Sequence, residues 1–87
     1  MNERPTLTIT VLLFAQARER AGTARETLEL PAGSRVSDAL GVLESRHPEL
    51  ATLRDHLAIA VDQRLVRDDA PLTSGAELAL LPPVSGG

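Results

Sequence analysis

The C-terminal segment can take part in chemistry without any reactive side chain. The last six residues are Pro82-Pro83-Val84-Ser85-Gly86-Gly87. The two glycines can pass through a narrow channel and present the Gly87 carboxylate to a reagent. The two prolines favour an extended segment, about 19 Å long over six residues. We therefore predict a domain over 1–81 and an arm over 82–87 that threads partner active sites and carries the reactive Gly87 carboxylate.

Other reactive residue types are scarce in this chain. There are no cysteines, which excludes a disulfide, a thiolate nucleophile and a cysteine-rich metal site. His47 and His56 lack metal-ligand spacing, and we expect no bound metal. The formal net charge is -3 and Phe14 is the single aromatic residue. With neither a basic patch nor aromatic stacking positions, the sequence argues against nucleic-acid binding.

Apolar periodicity predicts an α+β domain. Alternating apolar residues over 7–13 indicate a first strand, and a stripe at helical spacing over 36–46 indicates the main helix. Ser34 is a candidate N-cap of that helix, and Gly41 within it is expected to allow a close approach to the sheet. The remaining predicted elements are a turn or short helix over 16–22, a short helix over 48–53, and strands over 26–30, 57–61, 65–66 and 77–81.

The predicted order places about five strands in a mixed sheet that packs on one main helix. The first and last strands are the most apolar, so we expect them at the centre of the sheet. Strand alternation directs Phe14 and Leu81 away from the core, and Leu65 is expected on the same outer face. Exposed apolar clusters of this kind often bind partners, and Arg18 is predicted to add a polar contact at the rim.

Several segments together resemble the small subunit of molybdopterin synthase, a family with the β-grasp, or ubiquitin-like, fold. The resemblance spans nearly the whole chain and rests on residues 13–19 (Leu-Phe-Ala-Gln-Ala-Arg-Glu), 60–63, 71–77 and 81–87. In that family Asn often stands where this chain has Asp62, and an aromatic pair often stands where it has Leu80 and Leu81. A Gly-Gly end alone is weakly specific, but the combination of Phe-Ala-x-x-Arg-Glu near the start with Pro-Pro-Val-x-Gly-Gly at the end is quite specific to this family.

The resemblance implies a sulfur carrier. An activating enzyme would use ATP to adenylate Gly87, and a sulfur donor would then displace AMP to leave a thiocarboxylate. The large synthase subunit would receive the arm and move the sulfur to cyclic pyranopterin monophosphate. No cofactor is expected to bind tightly to this chain, because ATP serves the activating enzyme. The acid–base groups would lie in the partners, so this chain would be a non-catalytic subunit.

The sequence also bears on where the protein is located and on alternative functions. Residues 7–15 are apolar enough to suggest a signal peptide, but their alternation is that of a strand. We therefore expect a cytoplasmic protein without membrane contact. Three alternatives stay open: a sulfur carrier for thiamine or another pathway, a ubiquitin-like modifier of lysines, and an interaction module with an inert tail.

Overall fold

The computed structural model describes residues 5–82, and the elements follow the predicted order. The helices are α1 (Ala15–Ala21), α2 (Val36–Arg46) and a 3₁₀ helix (Pro48–His56). The strands are β1 (Thr6–Leu13), β2 (Arg25–Pro31), β3 (Ala58–Val61), β4 (Arg64–Val66) and β5 (Glu77–Leu81). None of the helices within 5–82 has the length and apolar character that crossing a bilayer requires.

The five strands form one mixed sheet in the order β2-β1-β5-β3-β4. β1 pairs with β5 in parallel, and the other three pairings are antiparallel. A parallel pair cannot be joined by a tight hairpin and needs a crossover connection, which here includes α2. The α+β architecture is therefore confirmed, as is the central position of the first and last strands.

The core lies between one face of the sheet and α2. The inward residues of β1 and β5 and the apolar stripe of α2 are all at most 4% exposed. They are Leu7, Ile9, Val11, Leu13, Leu78 and Leu80 from the strands, and Val36, Ala39, Leu40 and Leu43 from the helix. The alternating apolar residues of the strands and the apolar stripe of the helix thus form one cluster, which anchors both central strands.

The start of α2 differs from the sequence-based prediction. Ser34 is not the N-cap, because its hydroxyl donates to the carbonyl of Pro31 at 2.7 Å. Arg35 occupies the N-cap position, and its backbone N–H donates to the Asp38 carboxylate at 2.8 Å. The loop before β5 accepts the next two helix N–H groups, with Val36 donating to Ala70 and Ser37 to Asp68. These carbonyls accept hydrogen bonds from backbone N–H groups of the first helical turn, which a capping side chain would otherwise have to accept.

Gly41 lies on the exposed side of α2, so the expected close approach to the sheet is wrong. A Cβ built at this position meets no atom within 4 Å. We expect Gly41→Ala to raise the free energy of unfolding by about 1 kcal/mol, because alanine loses less backbone entropy in a helix. Urea denaturation would measure the change, and Gly75→Ala serves as the contrasting variant. Gly75 has a φ of 86°, where a side chain introduces strain, so that variant should be destabilised.

Glu26 ties β2 to the end of α2. Its carboxylate accepts hydrogen bonds from Arg46 at 2.7 Å and meets the Nε2 atom of His47 at 2.8 Å. Burial by itself would raise the pKa of Glu26, but the hydrogen bonds and charges of Arg46 and His47 outweigh it. The pKa of Glu26 is therefore lowered from its ordinary value of 4.5.

This shift predicts a pH-dependent contribution to stability. A carboxyl group whose pKa is lower in the folded state stabilises the fold when the pH is above its pKa in the unfolded state. This stabilisation is lost as the pH falls through the pKa of the folded state. At pH 7 we expect Glu26→Gln to cost about 1 kcal/mol. The difference from wild type should shrink below pH 4.5, measured by urea denaturation at pH 7 and pH 3. A difference that stays constant over this range would show that the charge of Glu26 is not what stabilises the contact.

Candidate functional site

The outer face of the sheet carries a groove that brings together three predicted interface residues. Phe14, Leu65 and Leu81 all line this groove, whose volume is about 470 Å³. Phe14 and Leu65 are 43% and 67% exposed, and they are the large apolar side chains that the described residues leave open to solvent. We call this surface the docking groove; its remaining lining residues are Leu12, Ala60, Gln63, Glu77 and Ala79.

The strand registers explain the shape of the docking groove. Across the sheet, Leu12 pairs with Ala79, Ala79 with Ala60, and Ala60 with Leu65. Facing side chains in such a row lie on the same side of the sheet. The two alanines form a low floor, while Leu12 and Leu65 form the walls at either side. The groove therefore arises from small residues in the middle of a row with large residues at its ends.

Phe14 is held at the end of the groove by backbone hydrogen bonds. Its N–H donates to the carbonyl of Leu80 at 3.2 Å, and its own carbonyl accepts from the N–H of Ala17 at 3.0 Å. Phe14 thus extends the β1–β5 pairing by one residue, beside Leu81, and also begins α1. Both bonds involve the main chain, so they fix the backbone position from which the aromatic ring extends.

A second hollow lies on the other side of Phe14, at the root of the predicted arm. It has a volume of about 360 Å³ and includes Pro82, the last described residue, in its lining. The other lining residues are Phe14, Ala15, Gln16, Leu53, His56 and Leu57. Phe14 is thus shared by the docking groove and by the hollow that Pro82 lines.

The remaining predicted site residues are Arg18 and the residues of the predicted arm. Arg18 is exposed on α1 and does not line the docking groove, so its rim contact stays a prediction. Pro82 follows β5 outside the strand. The predictions for Pro83, Val84, Ser85, Gly86 and the Gly87 carboxylate lie outside the described residues, and the domain boundary stays a prediction. Within 5–82, no three histidine, aspartate or glutamate side chains converge as a metal site would require.

The floor and one end of the groove are formed by residues that the sequence pattern does not indicate as site residues. Ala60 and Ala79 form the floor, and small residues give no signal of their own. Glu77 lies at one end, and the pattern places it in the last strand without indicating a role. Its period-two relation to Ala79 and Leu81 could have placed it on the outer face.

Comparison with known sequences identifies full-length relatives. Residues 11–87 match the sequence profile of the ThiS family. The chain is 36% identical over 86 residues to the molybdopterin synthase sulfur carrier subunit of Arabidopsis thaliana, covering 99% of this chain and 90% of the relative. It is 40% identical over 81 residues to the protein of that name from Chlamydomonas reinhardtii, covering 91% and 98%.

Solved structures share the fold. A putative molybdopterin converting factor subunit 1 from Pyrococcus furiosus superimposes with a TM-score of 0.82 at 31% identity, covering 90% of this chain and 99% of that one. Small archaeal modifier protein 1 of Haloferax volcanii gives 0.81 at 29% identity, covering 90% and 99%. A chain from the complex of subunits 1 and 2 of the Helicobacter pylori molybdopterin-converting factor gives 0.64 at 26% identity, covering 93% and 100%.

Proposed function

The chain belongs to the ThiS family, and on that premise we propose that it is the sulfur carrier subunit of a molybdopterin synthase. The observation that carries the proposal is the full-length similarity to relatives that bear this name in plants and algae. The matched region includes the Pro-Pro-Val-Ser-Gly-Gly segment. The role of this chain is to hold and deliver sulfur for molybdenum cofactor biosynthesis.

The proposed chemistry takes place on the Gly87 carboxylate. An oxygen of the carboxylate attacks the α-phosphorus of ATP in an activating enzyme, and pyrophosphate leaves. The acyl-adenylate is a good electrophile because AMP is a good leaving group, whereas a free carboxylate is a poor one. Sulfide released by a sulfur donor then attacks the carbonyl carbon, and AMP leaves with one of the carboxylate oxygens, so that sulfur replaces that oxygen. This chain contains no cysteine, and therefore Gly87 is its candidate for covalent sulfur attachment.

In this proposal, the folded domain binds the large subunit so that the sulfur can be delivered to it. The docking groove, with Phe14 exposed at its end and Leu65 at its side, binds the large subunit, and the arm begins at Pro82, near Phe14. Binding energy from the groove thus positions the thiocarboxylate in the large subunit's active site, where cyclic pyranopterin monophosphate receives the sulfur. The Helicobacter pylori structure, which contains subunits 1 and 2 of the converting factor together, supports a partner of this class.

A second candidate function is protein modification. The likeness to Haloferax volcanii small archaeal modifier protein 1 favours it, at nearly the same TM-score as the Pyrococcus furiosus protein. Both functions begin with adenylation of the terminal glycine, and they differ in the nucleophile that follows. A sulfur nucleophile gives the carrier, and a lysine amine of another protein gives a conjugate. Thiamine synthesis is a further pathway that the same thiocarboxylate could supply.

Intact-mass measurement tests the proposed function. After incubation with the cognate activating enzyme, ATP and a sulfur source, we expect a mass gain equal to exchange of one oxygen for sulfur. Peptide mapping should localise the change to Gly87. Subsequent incubation with the large subunit and cyclic pyranopterin monophosphate should return the original mass. An unchanged mass with a demonstrably active activating enzyme would refute the carrier, and adducts with lysines of other proteins would favour the modifier.

A further inference from the structure

Glu77 stands at one end of the docking groove. It is the first residue of β5, half-buried, and lies on the outer face two residues before Ala79. Within residues 5–82, its carboxylate makes no hydrogen bond or ion pair with another side chain or with the main chain. The fold therefore places an acidic group in an apolar groove without using it for its own stability.

None of the residues that line the docking groove is positively charged. The carboxylate of neighbouring Asp62 accepts the backbone N–H of Glu77 at 3.0 Å. The remaining polar residue of the groove lining is Gln63, which carries no charge. A partner that covers the groove would remove water from the Glu77 carboxylate, and burying an unpaired charge costs several kcal/mol. A positively charged group of the partner at this end of the groove would offset that cost.

We propose that Glu77 forms an ion pair with a lysine or arginine of the large subunit, an inference that rests on the proposed sulfur carrier function. The partner's cation lies at the Glu77 end, and its apolar anchor fills the alanine-floored part of the groove. Leu81 lies four residues further along β5, about 13 Å away at 3.3 Å per residue. A charged end and an apolar end fix the direction in which the partner lies along β5.

Binding measurements on three variants test the ion pair. Glu77→Gln removes the charge and keeps the shape, Glu77→Arg reverses the charge, and Glu29→Arg is the matched control on the exposed face of β2. By calorimetry with the cognate large subunit, we expect about tenfold weaker binding for Glu77→Gln and about hundredfold for Glu77→Arg. The control should bind like wild type. Raising the salt concentration should weaken wild type more than Glu77→Gln, and the melting temperature of Glu77→Gln should be unchanged.

A charge swap then identifies the partner residue. Among variants of the large subunit in which single lysines or arginines are changed to glutamate, one should restore binding to Glu77→Arg. The ion pair is overturned if both Glu77 variants bind as tightly as wild type while Leu65→Asp binds weakly. The groove would then be the interface, but the charge of Glu77 would not contribute to binding. If wild type neither binds the large subunit nor gains sulfur, the proposed function itself fails and the inference falls with it.

Discussion

Removing Gly87, or adding one residue after it, is expected to abolish sulfur transfer while leaving the stability of the domain almost unchanged. β5 ends at Leu81, six residues earlier in the sequence, and glycines contribute no side chain to the core. The free energy of unfolding should therefore stay within about 0.5 kcal/mol of wild type. Deletion withdraws the carboxylate by about 3 Å, and a misplacement of about 1 Å can reduce a rate by 100-fold.

The measurement pairs thermal melting with molybdopterin formation in the reconstituted system. Ser85→Ala is the matched control, because it changes a side chain of the same segment without changing the length. This variant should retain most of the activity. Full activity after deletion of Gly87 or after extension would mean that the C-terminal carboxylate is not the chemical centre, and the chain would then be an interaction module with an inert tail.

Placing a carboxylate on the docking groove is expected to break the complex with the large subunit. Phe14→Asp and Leu65→Asp each replace an exposed apolar side chain by a charge that would have to be desolvated in the interface. When such a residue anchors an interface, its loss costs at least about 2 kcal/mol, or about thirtyfold in Kd. Both positions are exposed in the free protein, so circular dichroism and thermal melting should show a folded domain.

Two further variants distinguish a loss of binding at the docking groove from a general effect of added charge. Thr6→Asp adds the same charge to the same face of the sheet, eight residues from Phe14 along β1, about 26 Å away, and should bind normally. Ala79→Leu fills the floor of the groove without any charge and should also weaken binding. Normal affinity of Phe14→Asp, Leu65→Asp and Ala79→Leu, measured by calorimetry, would place the interface on another face of the molecule.

Local sequence patterns are enough to predict the elements, the faces of the strands and helix, and the candidate chemistry. Alternation in β1 assigned Ile9 and Val11 to the core and Phe14 to the outer face, because successive side chains of a strand point to opposite sides. The helical stripe from Val36 gave both ends of α2 correctly. The chemistry proposed for Gly86-Gly87 can be inferred without knowledge of the fold, because it depends on the absence of side chains.

The neighbours of each residue on other strands follow only from the three-dimensional fold. Periodicity fixes the side of the sheet on which a residue lies, but not the residue that faces it on a strand distant in sequence. The parallel register of β1 with β5 puts Leu12 beside Ala79, and two antiparallel registers add Ala60 and Leu65 to the row. Ser34 failed as a cap for the same reason, because carbonyls more than thirty residues later serve the first turn of α2. Such contacts depend on long-range hydrogen bonds and packing, which local patterns do not encode.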